Sequence, residues 1–136
     1  MAQQAVVDAV AARLAANWTT TAIILPNEDA APPADGSAFV TLQFPTARET
    51  FIGMAAVGSR TMREDGTFRM VVSVPSGQGL DVGLGYCGTL AALFRLQTFG
   101  GVVCFAASPP IDNDSGDSGN YWVLSTSVTY QYDFFA

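Results

Sequence analysis

The segment Thr67-Phe-Arg-Met-Val-Val-Ser-Val74 shows the most regular alternation of apolar and polar residues in this chain. In a β-strand, successive side chains point to opposite faces of the sheet. The segment therefore predicts a half-buried strand, with Arg69 on the face opposite a row of apolar core residues. That row consists of Phe68, Met70, Val72 and Val74.

The residues just before this strand concentrate positive charge. The chain has 6 basic residues, all arginine, and half of them (Arg60, Arg63 and Arg69) fall within residues 58–70. Glu64-Asp65-Gly66 lies among them, and Asp-Gly between apolar runs is a strong hairpin signal. We therefore predict a turn at Asp65-Gly66, with Arg60 and Arg63 on its approach and Arg69 pointing outward.

Strand signals continue on both sides of this segment, at residues 19–25, 38–44, 51–57, 102–107 and 121–134. The last of these strands is long and strongly aromatic. One of its faces carries Trp122, Leu124, Thr126, Val128, Tyr130, Tyr132 and Phe134. Two polar, acidic segments, 27–36 and 108–120, are typical of loops.

Two segments have the spacing of amphipathic helices. In the first, Ala2–Asn17, the predicted core face is Val7, Val10, Leu14 and Trp18. In the second, that face is Leu80, Leu84, Cys87, Ala91 and Phe94. Because glycine disfavours helix interiors, Gly83, Gly85 and Gly88 indicate that a neighbouring strand or backbone packs closely on the second helix.

The order of elements is helix, strands, helix, strands, with connections short enough for mainly antiparallel pairing. We therefore expect an α+β fold, in which two helices pack on one mostly antiparallel sheet. The length of 136 residues and the hydrophobic content of 49% fit one packed domain, residues 1–136.

Composition argues against several function classes. The net charge of −6 disfavours specific nucleic-acid binding, which needs a basic face. The chain has no histidine and no lysine, so Ser-His-Asp triads, histidine metal ligands and Schiff bases are excluded. Cys87 and Cys104 form no CxxC and are interpreted as free, buried thiols. We find no secretory signal and no apolar run of transmembrane length.

The remaining chemical signals are weak. Gly83-Leu-Gly-Tyr-Cys-Gly88 matches G-x-G-x-x-G, but it lies inside a predicted helix, so close packing is favoured over dinucleotide binding. Glu64 and Asp65 are adjacent carboxylates, whereas glycosidases need two that face each other across a cleft. The acidic group Asp112, Asp114 and Asp117 is interpreted as a solvated loop, with weak cation binding as the alternative. We predict no catalytic residue, metal or cofactor.

The alternative to an enzymatic function is a role in protein assembly. Arginine is enriched at protein interfaces and pairs bidentately with carboxylates, and this chain has 12 acidic residues. Arg60, Arg63 and Arg69 are therefore candidates for contact with an identical subunit or another protein. The competing interpretation is that they decorate a solvated hairpin.

The chain resembles the tail terminator (tail completion) proteins of long-tailed phages, of the lambda minor tail protein U type, and their relatives in gene transfer agents. The resemblance is carried by the helix ending at Trp18, the Pro26-Asn27 loop, the Gly58…Arg63-x-x-Gly66-x-Phe68 strand entry and Pro75-Ser-Gly-Gln-Gly79 before the second helix. The long aromatic final strand completes it. The glycine-rich second helix and the acidic loop from Asp112 to Asn120 depart from the family pattern.

This resemblance implies a structural virion protein. Such proteins are similar in forming a hexameric ring that caps the completed tail tube, stops its polymerisation and joins it to the head connector. The implied partners are the chain itself, the tail tube protein and the head connector protein, with no membrane and no specific nucleic acid. The alternatives are a head–tail connector, a tail tube subunit or a small-ligand binding module.

Overall fold

The computed structural model describes residues 1–28, 31–112 and 120–136. The two helices are α1, Gln4–Asn17, and α2, Asp81–Phe94. The strands are β1 (Ala22–Ile24), β2 (Phe39–Gly53), β3 (Thr61–Pro75), β4 (Thr98–Phe99), β5 (Val102–Ala107), β6 (Ile111–Asp112) and β7 (Tyr121–Phe135).

The strands form one curled sheet in the order β1-β2-β3-β7-β5-β4, with β6 paired to β7. The α+β prediction holds, but the prediction of a mostly antiparallel sheet is inexact because the sheet is mixed. β1 pairs in parallel with β2. The other described pairings are antiparallel.

The core lies between the two helices and the inner face of the three long strands. The predicted apolar row of β3 is confirmed, as is the alternation of β2 over residues 39–44. The predicted inner face of β7 is buried from Leu124 to Tyr130, but Tyr121, Val123 and Ser125 on its other face are buried as well. The largest fully buried side chains are Tyr130, Phe68, Phe94, Leu14, Leu42, Met70, Leu90, Val6, Val10, Val40, Val72 and Val102. Phe68 is central among the aromatic residues, with its ring centroid 5.0 Å from that of Phe94 and 6.0 Å from that of Tyr130.

Both helices were predicted in the right place, but their buried faces differ from the prediction. In α1, Val6 is fully buried and Val7 only partly, so the core stripe follows four-residue steps through Val10 and Leu14 to Trp18. In α2, Leu80 and Leu84 are exposed, and Gly83 and Leu90 are buried instead. The helix is rotated because Gly83 lets it approach β7, where an added Cβ would lie 2.8 Å from Leu124 Cδ1.

The close-packing explanation therefore holds for Gly83 but not for the other two helix glycines. At Gly85 and Gly88, an added Cβ would meet nothing within 4 Å. Both glycines lie on the solvent-facing side of α2.

The predicted turn at Asp65-Gly66 is wrong. Both residues lie inside β3, where Asp65 pairs with Arg48 of β2 and Gly66 pairs with Ala47. The predicted strands 38–44 and 51–57 belong mainly to a single strand, β2, which continues through Pro45 by way of an irregularity between Gln43 and Thr46. The hairpin turns instead at residues 54–60.

A different cause explains the glycine at position 66. A Cβ there would lie 2.6 Å from the Thr46 carbonyl oxygen and 2.6 Å from the Tyr130 hydroxyl oxygen. Glycine inside a strand commonly marks a close approach of this kind. Gly66 is therefore required by the packing of Tyr130, which follows it by 64 positions in the sequence, and not by a local turn.

Candidate assembly interface

The three candidate arginines do not form one cluster. Arg60 immediately precedes β3, whereas Arg63 and Arg69 lie within it and both point to the outer face of the sheet. Six strand positions separate Arg63 from Arg69, a distance of roughly 20 Å. The structure thus brings Arg60 and Arg63 to one end of the sheet and leaves Arg69 apart.

Arg63 binds a carboxylate of its own chain. Its Nε donates to Asp133 Oδ1 at 2.8 Å and its second guanidinium nitrogen donates to Oδ2 at 2.9 Å. Asp133 is the direct partner of Arg63 on β7. The bidentate hydrogen bond holds the pKa of Asp133 below its usual range and raises the pKa of Arg63. Both side chains remain accessible, with 34% and 41% of their surfaces exposed.

The other two arginines also make contacts within the chain, but not with side-chain carboxylates among the described residues. Arg69 donates through Nε and one terminal nitrogen to Gln43 Oε1, its partner residue on β2, at 2.9 and 2.6 Å. Arg60 Nε donates to the Ala136 oxygen at 3.2 Å, beside two backbone hydrogen bonds between the same residues. Among the described residues, only Arg63 lies within 4.0 Å of a side-chain carboxylate.

The adjacent carboxylates Glu64 and Asp65 point to opposite faces of the sheet. Asp65 is exposed, whereas Glu64 is buried with 4% of its surface accessible. Glu64 Oε1 accepts from the backbone N–H of Gln3 at 3.1 Å, and Oε2 accepts from the Tyr130 hydroxyl at 2.6 Å. Burial, together with this bond, raises the pKa of Tyr130.

The buried carboxylate of Glu64 connects the N-terminus of α1 to the sheet. Gln3 is the N-cap of α1 and makes no capping hydrogen bond with its own side chain. The carboxylate of Glu64 accepts the Gln3 N–H and places a negative charge at the positive end of the helix dipole. Because it also binds Tyr130, Glu64 connects α1, β3 and β7.

Beyond this buried carboxylate, the sheet continues past the helices. We call this projecting end the arm: residues 51–62 together with Phe134 and Phe135 of β7. From Glu49, which pairs with Glu64, the strand runs roughly 13 Å further to Gly53. The arm carries the exposed apolar residues Phe51 (54% exposed), Ile52 (46%), Met54 (92%), Val57 (84%) and Phe135 (73%).

The inner face of the arm is an apolar groove of about 350 Å³. Phe51, Met62 and Phe134 line it, and Arg60 and Glu49 lie at its edge. Large exposed apolar patches of this kind mark interaction sites. The sequence interpretation missed this surface because residues 51–57 were predicted to form a strand. The Gly58-Ser59 that follows was the signal for a loop.

Other predicted features have plain structural explanations. Cys87 and Cys104 are free thiols, and burial raises the pKa of each to about 11. G-x-G-x-x-G lies within α2, as predicted. Asp112 ends β6 and accepts from Trp122 Nε1 at 3.1 Å, whereas Asp114 and Asp117 lie outside the described residues. Within the described ranges, no group of three or more Cys, Asp or Glu is arranged to hold a metal ion.

A family model described as "phage tail terminator protein" matches residues 5–130. The chain belongs to the phage tail terminator family. This match confirms the predicted family and covers α2, nearly all of α1, residues 51–62 of the arm and most of the sheet. A search of curated protein sequences gives no significant match.

A solved structure has the same fold as this family member. It superposes with a TM-score of 0.64, covering 100% of this chain and 99% of its own at 22% identity. At 22% sequence identity, this similarity establishes a shared fold alone. Membership of the family gives this terminator-like chain a structural role in a phage tail, in association with other tail components. Of the described helices, neither is long and apolar enough to cross a membrane.

Proposed function

We propose that this protein forms a ring on the end of the completed tail tube, where it ends tube polymerisation and joins the tube to the head connector. The family match over residues 5–130 is the observation that carries the proposal. The ring would be a hexamer built from one domain per subunit, as in the family that the sequence resembles. Its role is structural, with no catalytic step and no cofactor.

An exposed apolar arm supports the assembly part of this proposal. Soluble monomers seldom expose contiguous apolar surface unless a partner covers it, and the arm exposes Met54 and Val57 almost completely. Arg60 and Arg63 lie in or beside the arm, so a subunit or the tail tube that covers the arm would also contact them. We propose these two arginines, together with Arg69 further along β3, as interface residues.

The location of the protein in the particle tests this function. Gold-labelled antibody or cryo-electron microscopy of purified particles is expected to find the chain as a single ring at the head-proximal end of the tube. Labelling along the whole tube would favour the tube-subunit alternative. Absence from the particles would refute both. The molecular mass of the protein in solution is a less decisive measurement. If the ring closes only on the tail, the free protein is a monomer.

Neutral substitutions test the arginine interface. The double variant Arg63→Gln with Arg69→Gln is expected to weaken ring formation or docking on the tube, with circular dichroism unchanged. Arg95→Gln, an exposed arginine on α2's C-terminal end, is the matched control. Equal assembly of the double variant and the control would favour the solvated-hairpin interpretation.

A further inference from the structure

A second apolar groove lies beside α1. It has a volume of about 420 Å³ and is formed where the segment after β1 runs along the helix. Its apolar lining includes Val7, Ala11, Leu25 and Pro26, and two carboxylates, Asp8 and Glu28, stand at its edge. We call it the α1 groove.

The two carboxylates of the α1 groove are exposed and have only neutral partners. Asp8 Oδ1 accepts from Gln4 Nε2 at 2.8 Å, and Glu28 Oε2 accepts from the backbone N–H of Leu25 at 3.2 Å. Neither lies within 4.0 Å of an arginine in the part of the chain that the structure describes. The groove is thus an apolar depression with two carboxylates at its edge that form no ion pair among the described residues.

The arm has the opposite properties. It projects beyond the helices, it is apolar at its tip, and the charge nearest the tip is Arg60, whose side chain contacts only a main-chain oxygen among the described residues. The charges of Arg63 and Asp133 neutralise each other. Glu49 lies at the base of the arm, where its Oε1 accepts from Gln3 Nε2 at 3.5 Å. A protruding apolar surface with Arg60 nearest its tip and a recessed apolar surface with Asp8 and Glu28 at its edge occur on the same chain.

From this complementarity we infer that the arm of one subunit inserts into the α1 groove of the next, Arg60 meeting Asp8 and Glu28. The inference rests on the proposed ring, because it supplies the contact that repeats around it. A contact between two different surfaces of one chain is heterologous, and repeating it generates a ring if the rotation closes. The charges favour this arm-to-groove contact over the two symmetric contacts, arm to arm and groove to groove. An arm-to-arm contact would oppose two copies of Arg60, and a groove-to-groove contact would oppose two pairs of carboxylates.

Site-directed cross-linking tests the contact. Val57→Cys places a thiol on the arm tip and Ala11→Cys places one in the α1 groove, and the native cysteines are both buried. With a short bismaleimide linker, a mixture of the two single variants is expected to give a covalent dimer, whereas neither variant alone does. Self-linking of Val57→Cys alone would establish an arm-to-arm contact and overturn the inference.

If the ring closes only on the tail, the same cross-linking experiment can be done on assembled particles. Particles carrying the double variant Val57→Cys with Ala11→Cys are expected to give a ladder of linked chains up to the full ring. Particles with normal tails that contain the chain but give no ladder would overturn the contact while leaving the proposed function intact. Particles with normal tails that lack the chain would refute the proposed function itself.

Charge exchange provides the second test. Arg60→Glu and Asp8→Arg are each expected to weaken assembly by about tenfold or more, since each opposes like charges across the contact. Combining both substitutions in one chain is expected to restore much of the assembly, because the carboxylate at position 60 then faces an arginine at position 8, and Glu28 is the one like charge that remains. Arg95→Glu changes the net charge by the same amount as Arg60→Glu and serves as its control. Failure of the combined variant to recover, or an equal loss with Arg95→Glu, would contradict the arm-in-groove contact.

Discussion

At the scale of single residues, Gly66 and Glu64 show how β3 connects the parts of the fold. Gly66 has no side chain because the Tyr130 hydroxyl packs over it, and that hydroxyl donates to the buried Glu64. Glu64 in turn accepts the N-terminal N–H of α1. Buried polar groups are stabilising only when their hydrogen bonds are made, so each member of this network depends on the others.

Gly66→Ala is expected to destabilise the protein by about 1–3 kcal/mol, the usual cost of overpacking. One of the three atoms that the new Cβ meets is the Thr46 backbone oxygen, which cannot move without distorting β2. Gly88→Ala is the matched control, because its Cβ meets nothing and alanine favours the helix by up to about 1 kcal/mol. Urea denaturation of both variants gives the comparison. An unchanged midpoint for Gly66→Ala would contradict the packing described here.

Glu64→Gln is expected to cost about 1–3 kcal/mol, because the amide NH2 group turned toward Tyr130 leaves the buried hydroxyl hydrogen without its acceptor, and the negative charge beside the N-terminus of α1 is lost. Glu49→Gln, directly opposite on β2 but exposed, is expected to change stability by no more than about 0.5 kcal/mol. Urea denaturation at neutral pH measures the change in the free energy of unfolding for both variants. Adding Tyr130→Phe to Glu64→Gln should cost less than the sum of the single changes, and strict additivity would argue against the network.

At the scale of elements, alternation and helical spacing predicted α1, α2, β5, β7 and the β3 core row, because burial of one face leaves a local pattern. The hairpin turn was misplaced because the reason for Gly66 lies in Tyr130, outside any local window. The face of α2 was misassigned for a similar reason, since Leu80 and Leu84 are apolar but exposed. The partners of Arg63 and Arg69, Asp133 and Gln43, follow from strand register, which the sequence does not display.

The Arg63–Asp133 pair connects β3 to β7 at the base of the arm and gives a pH-dependent prediction. Since the pKa of Asp133 is lower in the folded state, its contribution to stability is present above its unfolded pKa of about 4 and is lost as the pH falls through the folded pKa. Because the pair is largely exposed, that contribution is small.

Arg63→Gln is therefore expected to raise the pKa of Asp133 toward its ordinary value, as followed by carboxyl chemical shifts in an NMR titration. Asp35 is the internal control, because hydrogen bonds from Ser37 lower its pKa independently of Arg63. If the Asp133 titration were the same in the variant, the hydrogen bond from Arg63 would not be the cause of the shift.

At the scale of the whole molecule, two structural features bear on assembly. The arm projects apolar side chains that its own helices leave uncovered, and the α1 groove offers an apolar surface with negative charge. The family match places the chain in a phage tail. Neither the arm nor the groove could be predicted from the sequence, because exposure of Met54 and Val57 depends on where the helices end above the sheet.

We have proposed that this protein stops tail growth, and the length of the tails is the property that depends on it. The measurement is the distribution of tail lengths, by negative-stain electron microscopy, in particles made without this chain and in particles with the chain restored. We expect overlong tails of variable length without the chain, and a return to one uniform length when it is supplied. Tails of normal length with detached heads would contradict this proposal and identify the protein as a connector.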